Sequence, residues 1–246
     1  MTTTQLLVVV LASLAGATVK SVTGLGYPVL AVPVIALVLG VEDAVVLVAL
    51  PNLGANLYLC WESREARDQT RDLSRLVGFG VVGAVIGTLA LVHLPEEPLL
   101  IALAITIGVF VFNFLRRPDL AIDPRTATRW SPVVGTVVGL LQGSIGVSGP
   151  VVATWVHGYR LPPRVFVDTV TFIFGVTGAV QIVVLAIQGQ FTADRLLAAA
   201  AAAVPVAIVT PLGVRLRDRL AGPAFERAVL AVLLVSAVSL VVDAVR

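Results

Sequence analysis

Apolar residues run almost unbroken along this chain, and the interruptions between them are short. From Gln5 to about Val19 the positions are apolar or small; Lys20-Ser-Val-Thr-Gly-Leu-Gly-Tyr-Pro28 then breaks the run, and Val29 to Leu39 is apolar again. Each run is about a dozen residues, roughly 18 Å as helix, near half of a 30 Å hydrocarbon core. The pattern therefore predicts two half-helices around a polar break. Asp43 to Tyr58, Leu76 to Val92 and Leu99 to Leu115 predict three full spans, separated by a charged loop from Glu62 to Arg75 and a tight turn over 93–98. Gly83 and Gly87 form a small-xxx-small pattern that permits close helix contact.

The plan then repeats. Val133 to Leu141 and Val151 to Val156 are short apolar runs around a second break, Gln142-Gly-Ser-Ile-Gly-Val-Ser-Gly-Pro150, in which Gly146 matches Gly24 and Pro150 matches Pro28 at an offset of 122. Val165 to Ile187, Leu196 to Leu212 and Phe225 to Val242 predict three further spans. The expected organisation is a first membrane repeat over residues 1–117, a linker loop over 118–130 and a second repeat over 131–246. Discontinuous helices at corresponding positions of two repeats are the sequence sign of a secondary transporter.

Two topologies fit this pattern. If both broken segments cross the membrane, the chain has eight transmembrane helices in two parallel repeats, and the Arg215–Arg219 cluster falls opposite the 62–75 and 116–129 loops. If each broken segment is a re-entrant hairpin, the arginines of 62–75, 116–129, 160–164 and 215–219 share one side. Arginines concentrate on the cytoplasmic side of membrane proteins. This second count is the expected one: six spans, two hairpins entering from opposite faces, inverted repeats and both termini outside.

Composition agrees with the pattern and narrows the function. The chain is 58% hydrophobic and 13% charged with a mean hydropathy of +0.99, against about 45–50% and 25% for soluble domains, so an all-α polytopic membrane protein is expected. A net charge of +2 with scattered arginines does not point to nucleic acid, and one cysteine, Cys60, excludes an internal disulfide framework. The N-terminal run resembles a signal peptide but lacks a basic start and continues as apolar sequence, so it is expected to belong to the mature protein. No metal or organic cofactor is called for.

The breaks carry the candidate chemistry. Irregular backbone at membrane depth survives only where protein or a wet cavity covers it. Pro28 and Pro150 stand where half-helices would begin, so free N–H groups and positive dipole ends are expected to face the break. Gly24, Gly26, Gly143, Gly146 and Gly149 would let a ligand approach the backbone. Lys20, the only lysine in the chain, adds a full charge, and Ser21, Thr23, Ser144 and Ser148 with the Gln142 amide could bind oxyanion oxygens. The alternative is a pair of packing kinks with Lys20 snorkelling to the interface.

Gly24-Leu-Gly-Tyr-Pro-Val-Leu-Ala-Val-Pro33 and Gly139-Leu-Leu-Gln-Gly-Ser-Ile-Gly-Val-Ser-Gly-Pro150 resemble the TauE/SafE-type sulfite exporter family of membrane permeases. The resemblance covers essentially the whole chain. It implies transport, commonly export, of sulfur-containing anions such as sulfite, thiosulfate or organosulfonates across the cytoplasmic membrane. Tyr27 stands in a stretch where family members often carry further glycines, and would either narrow the site or be a local variation.

Several other residues bear on mechanism. Asn52 and Asn56 share a helix face after the first break, and Asp168 and Thr171 hold the analogous place in repeat two. Intramembrane polar residues of this kind are candidates for substrate binding, with interhelical hydrogen bonding as the other reading. Asp168 is a candidate proton carrier or the partner of Arg164 four residues earlier. His93, His157, Trp61, Trp130, Trp155 and Tyr159 fall near span ends, as an interfacial belt would. Gly146-Val-Ser-Gly149 resembles the serine motif of rhomboid proteases, but a serine nucleophile needs a histidine in reach, and His157 lies nine residues on. The expectation is a non-enzymatic carrier that holds its anion between the breaks and rocks one repeat against the other. A passive anion channel, an intramembrane protease and homo-oligomerisation stand as lesser readings.

Overall fold

The computed structural model describes residues 1–23, 26–64, 72–116, 121–216 and 223–245, apart from a few side chains within them. Every regular element among them is a helix. The first half comprises α1 (Thr3–Thr23), α2 (Tyr27–Leu39), α3 (Val41–Ser63), α4 (Leu73–His93) and α5 (Glu96–Arg116). The second comprises α6 (Pro124–Ile145), α7 (Gly149–His157), α8 (Pro163–Ile187), α9 (Ala193–Arg215) and α10 (Pro223–Val245). Six of these, α1, α3, α4, α5, α8 and α9, are long and apolar enough to cross a membrane. Large apolar side chains such as Leu115, Ile187, Leu197 and Val235 face outward, as lipid contact requires. The chain is an all-α polytopic membrane protein.

The broken segments are less symmetric than their sequence. Each first arm is a full-length helix: α1 runs 21 residues and α6 runs 22, about 31–33 Å, and only the return arms α2 and α7 are short. Lys20 to Thr23 and Gln142 to Ile145 are helical, so each break is narrower than the polar stretch that announces it. Small and hydroxylated residues do not stop a helix when each hydroxyl can bond back to its own turn. Ser144 does so to the Leu140 carbonyl and Ser21 to the Thr18 carbonyl. What stops α6 is Gly146, in the left-handed region at φ +68°, which returns its N–H to the Gln142 carbonyl. At its other end α6 begins inside the expected linker. The Asp123 carboxylate caps Arg125 N and Thr126 N, and the Thr126 side chain above all, with these backbone bonds, holds that carboxyl below the usual range. Residues 117–120 of that linker and 65–71 of the charged loop lie outside the described residues.

Contacts between helix ends define two ends of the bundle. At one, Val41 N donates to Glu96 Oε1, Arg195 bridges Glu42 and Asp43, and Met1 lines the same recess as Asp43 and Asp194. At the other, Thr128 Oγ1 donates to Asp72, Arg75 donates to the Thr128 carbonyl, and Ile122 N donates to the Gly158 carbonyl. Both arms of α1–α2 thus start and finish at the acidic end, and both arms of α6–α7 at the arginine-bearing end. Each pair doubles back inside the protein.

Helix directions follow from the same kind of pairing. Cys60 meets Thr171 and Ser63 meets Asp168, so α3 and α8 run antiparallel. In contrast α6 runs parallel to α4, with Gly135 against Leu76, Gly139 against Gly80 and Gly143 against Ala84. Ser21 against Gly213 and Met1 beside Arg195 make α1 parallel to α9. Each doubled-back segment is therefore seated on a helix from the other half of the chain.

The α4–α6 contact is as close as helices can come. A Cβ on Gly83 would stand 2.1 Å from the Thr136 carbonyl oxygen, one on Gly87 2.2 Å from that of Leu140, and one on Gly139 1.9 Å from that of Gly80. Without a hydrophobic drive between helices in lipid, such backbone-to-backbone packing supplies much of the association. Gly83 and Gly87 play the part their spacing predicts. Gly143 also lies in this seam, against Ala84 and Thr88.

Candidate functional site

Where α1 turns into α2, the Lys20 side chain is fully buried and reaches across to α3. Its ammonium donates to Asn52 Oδ1 at 3.1 Å and to Asn56 Oδ1 at 2.7 Å, and lies 5.7 Å from the centre of the Phe174 ring on α8. Cys60 on α3 also lies within electrostatic reach of it, and no carboxylate is among these partners. The snorkelling alternative is thereby overturned. The two asparagines are one helical turn apart because they share this task.

An ammonium only donates, so each asparagine must give it the oxygen and keep the NH2 end for something else. Asn56 Nδ2 is buried with no hydrogen-bond partner among the described residues. Asn52 also lines a narrow cavity of about 10 Å³ between the two breaks, walled by Pro28, Val29, Gln142, Gly146, Val147, Ser148, Gly149 and Phe174. The two breaks thus adjoin, as their matched positions suggest, but they overlap rather than meet tip to tip. Gly146 sits against Val45 near the start of α3, while Lys20 reaches Asn56 much farther along it.

The second break is tied shut by side chains. Ser148 Oγ donates to Gln142 Oε1 at 3.0 Å, and Gln142 Nε2 donates to Gln181 Oε1 at 3.2 Å. Gln181 Nε2 in turn donates to the Gln142 and Gly143 carbonyls, satisfying the end of α6. Gln142 and Ser148 therefore brace the turn while bordering the cavity. Ser148 points to this glutamine and not to a histidine; His157 closes the far end of α7.

Other expected ligands turn away. Ser21 packs against Gly213 and Ser144 bonds its own helix, so both hydroxyls serve α1 and α6. Thr171 donates to the Val167 carbonyl and accepts from Cys60, at the α3–α8 interface. Tyr27 does not narrow the cavity; it lies back along α1, sharing a hydrogen bond with Ser13 and filling the space Gly16 leaves. Gly26 admits Val19, whose Cγ1 would be 2.0 Å from a Cβ there. Pro28 and Pro150 occupy the first turns of α2 and α7, as expected. Gly24 and the Thr23 side chain lie outside the described residues. Asp168 is buried beside Ser63, nearer the arginine-bearing end than the cavity.

Helix polarity also differs from expectation. Because α1 and α6 stay helical up to the breaks, each break brings together a helix C-terminus and a helix N-terminus. Their partial charges of about −0.5 and +0.5 largely offset one another. Lys20 is left as the positive charge of the site.

In the sequence Gln181 is visible as a polar residue of the Val165–Ile187 span with no place in the site, and Phe174 does not stand out, although a signal for both is there. Thr171, Phe174, Gly178 and Gln181 follow one another at spacings of three and four, a single face of α8.

Long apolar helices enclosing two irregular, doubled-back segments define a polytopic membrane protein of the transporter class. The chain belongs to the sulfite exporter TauE/SafE family, whose sequence model matches residues 8–240. No curated protein and no solved structure matches it.

Proposed function

We propose that the protein is a secondary carrier that exports small sulfur-containing anions across the plasma membrane, binding them between the two breaks. One observation carries this reading. The Lys20–Asn52–Asn56 cluster turns its asparagine oxygens to the ammonium and has donors left over, among them a buried amide with no partner among the described residues. An oxyanion offers acceptors only and brings the missing negative charge. Family membership supports the sulfur class, and an inside-negative potential would drive export by about 2.3 kcal/mol per charge per 100 mV without a coupling ion.

We further infer that the two halves are inverted repeats, 1–117 and 131–246, and that the arginine-bearing end faces the cytoplasm. The antiparallel α3–α8 pair and the opposite entry of the two doubled-back segments support this. The glycine seam argues against one repeat rocking on the other. The moving bodies would combine α4 with α6–α7 and α9 with α1–α2, sliding past the α3–α8 pair. In a Cys60→Ser background, cysteines at Leu94 and Arg164 should label from opposite faces of the membrane. Labelling of both from one face would restore the eight-helix topology.

The carrier reading is tested with purified protein in liposomes at a set potential, offering sulfite, thiosulfate, sulfoacetate and chloride. Saturable flux of a sulfur anion with counterflow is expected. Equal flux of every anion without counterflow would mean a channel, and no flux of any sulfur anion would refute both.

A further inference from the structure

The charge of the substrate can be read from the charge of its site. Among the residues of the two breaks and the cavity wall, Lys20 is the one with a charged side chain. Its counterpart in the second half is Gln142, whose amide is engaged by Gln181 and Ser148. The helix ends at each break offset one another, as described above. Around Lys20, α2 contributes Tyr27, bonded to Ser13, and α3 contributes Cys60, bonded to Thr171. The one carboxylate on α8, Asp168, is six residues before Phe174, about 9 Å along the helix toward the arginine-bearing end. Beside the neutral polar groups of Asn52, Gln142 and Ser148 and the backbone of Gly146 and Gly149, the cavity wall is apolar: Pro28, Val29, Val147 and Phe174.

We propose that the site selects an anion with one negative charge, such as bisulfite or a simple sulfonate, and discriminates against dianions such as sulfate and thiosulfate. A monoanion neutralises Lys20 and leaves the buried site without net charge. A dianion leaves one charge uncompensated against Val29, Val147 and Phe174, where desolvation costs several kcal/mol per ion. Lys20 and the neutral Gln142 opposite it are then the residues that set this preference, Lys20 by its charge and Gln142 by having none.

This inference rests on the carrier reading, and permanently charged probes separate the two. Flux of methanesulfonate, a monoanion at all accessible pH values, is compared in liposomes with flux of sulfate and thiosulfate at neutral pH. Methanesulfonate is expected to be carried at least about 100-fold more effectively than either dianion. Thiosulfate within a few-fold of methanesulfonate would overturn the charge selection and leave the carrier reading intact. Flux of no sulfur anion would remove the carrier reading itself. Gln142→Lys, which adds a second cation at the cavity wall and can still donate to Gln181, is expected to shift the ratio about 10-fold toward thiosulfate. An unchanged ratio in a variant that still carries methanesulfonate would count against the proposal.

Discussion

Lys20→Met is expected to lower anion flux by about 100-fold or more while the purified protein keeps its fold. The side chain is completely buried, and its ammonium is held by two neutral oxygens. Removing one partner of a buried charge pair costs about 3–5 kcal/mol, so the bound anion loses at least two orders of magnitude in affinity. Methionine matches the length and flexibility of the lysine stem, so packing against α3 and Phe174 is kept. Unliganded stability should not fall much, because the variant no longer buries a cation without a counter-charge. Melting temperature and gel-filtration profile provide that control. Lys20→Arg keeps the charge but brings a broad planar fork to a place shaped for a point charge, and should recover only part of the flux. Wild-type flux in Lys20→Met would return Lys20 to a purely structural role. Loss of flux accompanied by aggregation would do the same.

Gly139→Leu is expected to prevent a stable, monodisperse protein from forming. A Cβ at this position would lie 1.9 Å from the Gly80 carbonyl oxygen and 2.7 Å from Ala84 N, both backbone atoms of α4. No rotamer change relieves a backbone clash, so α6 must move away from α4 along its length. That separation breaks the contacts at Gly83, Gly87, Gly135 and Gly143 together, which overpacking of about 1–3 kcal/mol at a single yielding site would understate. Even Gly139→Ala should lower the melting temperature by several degrees. The comparison is with Gly54→Ala and Gly108→Ala, where nothing lies within 4 Å. Helix propensity favours alanine there by about 0.5–1 kcal/mol, so these two should be neutral or mildly stabilising. Equal stability of Gly139→Leu and Gly54→Ala would mean that the α4–α6 seam does not hold the bundle together.

Much of this architecture is legible in the chain. The spans stand out because lipid demands long apolar helices, and their ends fall within a few residues of the apolar runs. The matched breaks locate the cavity, and Asn52 and Asn56 announce themselves as polar residues in an apolar helix. What the pattern hides is continuity. Lys20 to Thr23 and Gln142 to Ile145 read as irregular, yet they are helical, because hydroxyls and glycines are tolerated wherever the turn behind can accept their bonds or a neighbouring helix lies close. Partner choice is hidden too. Nothing in the sequence of Ser21 says that it faces Gly213, nor in that of Gly143 that it faces Ala84, because packing across nearly 200 or 60 residues leaves no local periodicity. For the same reason Tyr27 reads as a cavity residue, while its hydroxyl has an earlier claim on Ser13.

The seating of α1–α2 on α9 also bears on how the protein is made. Synthesis delivers the N-terminal segments first. The hairpin that carries the buried lysine therefore emerges long before Phe174 on α8 and Gly213 on α9, two of the surfaces that cover it. Until those helices arrive, α3 supplies the asparagines that hold Lys20 but the rest of the polar tip's cover is missing, and hydrocarbon is a poor substitute. Biogenesis of this chain is thus back-loaded: a chain truncated before α9 lacks the seat for its first helix.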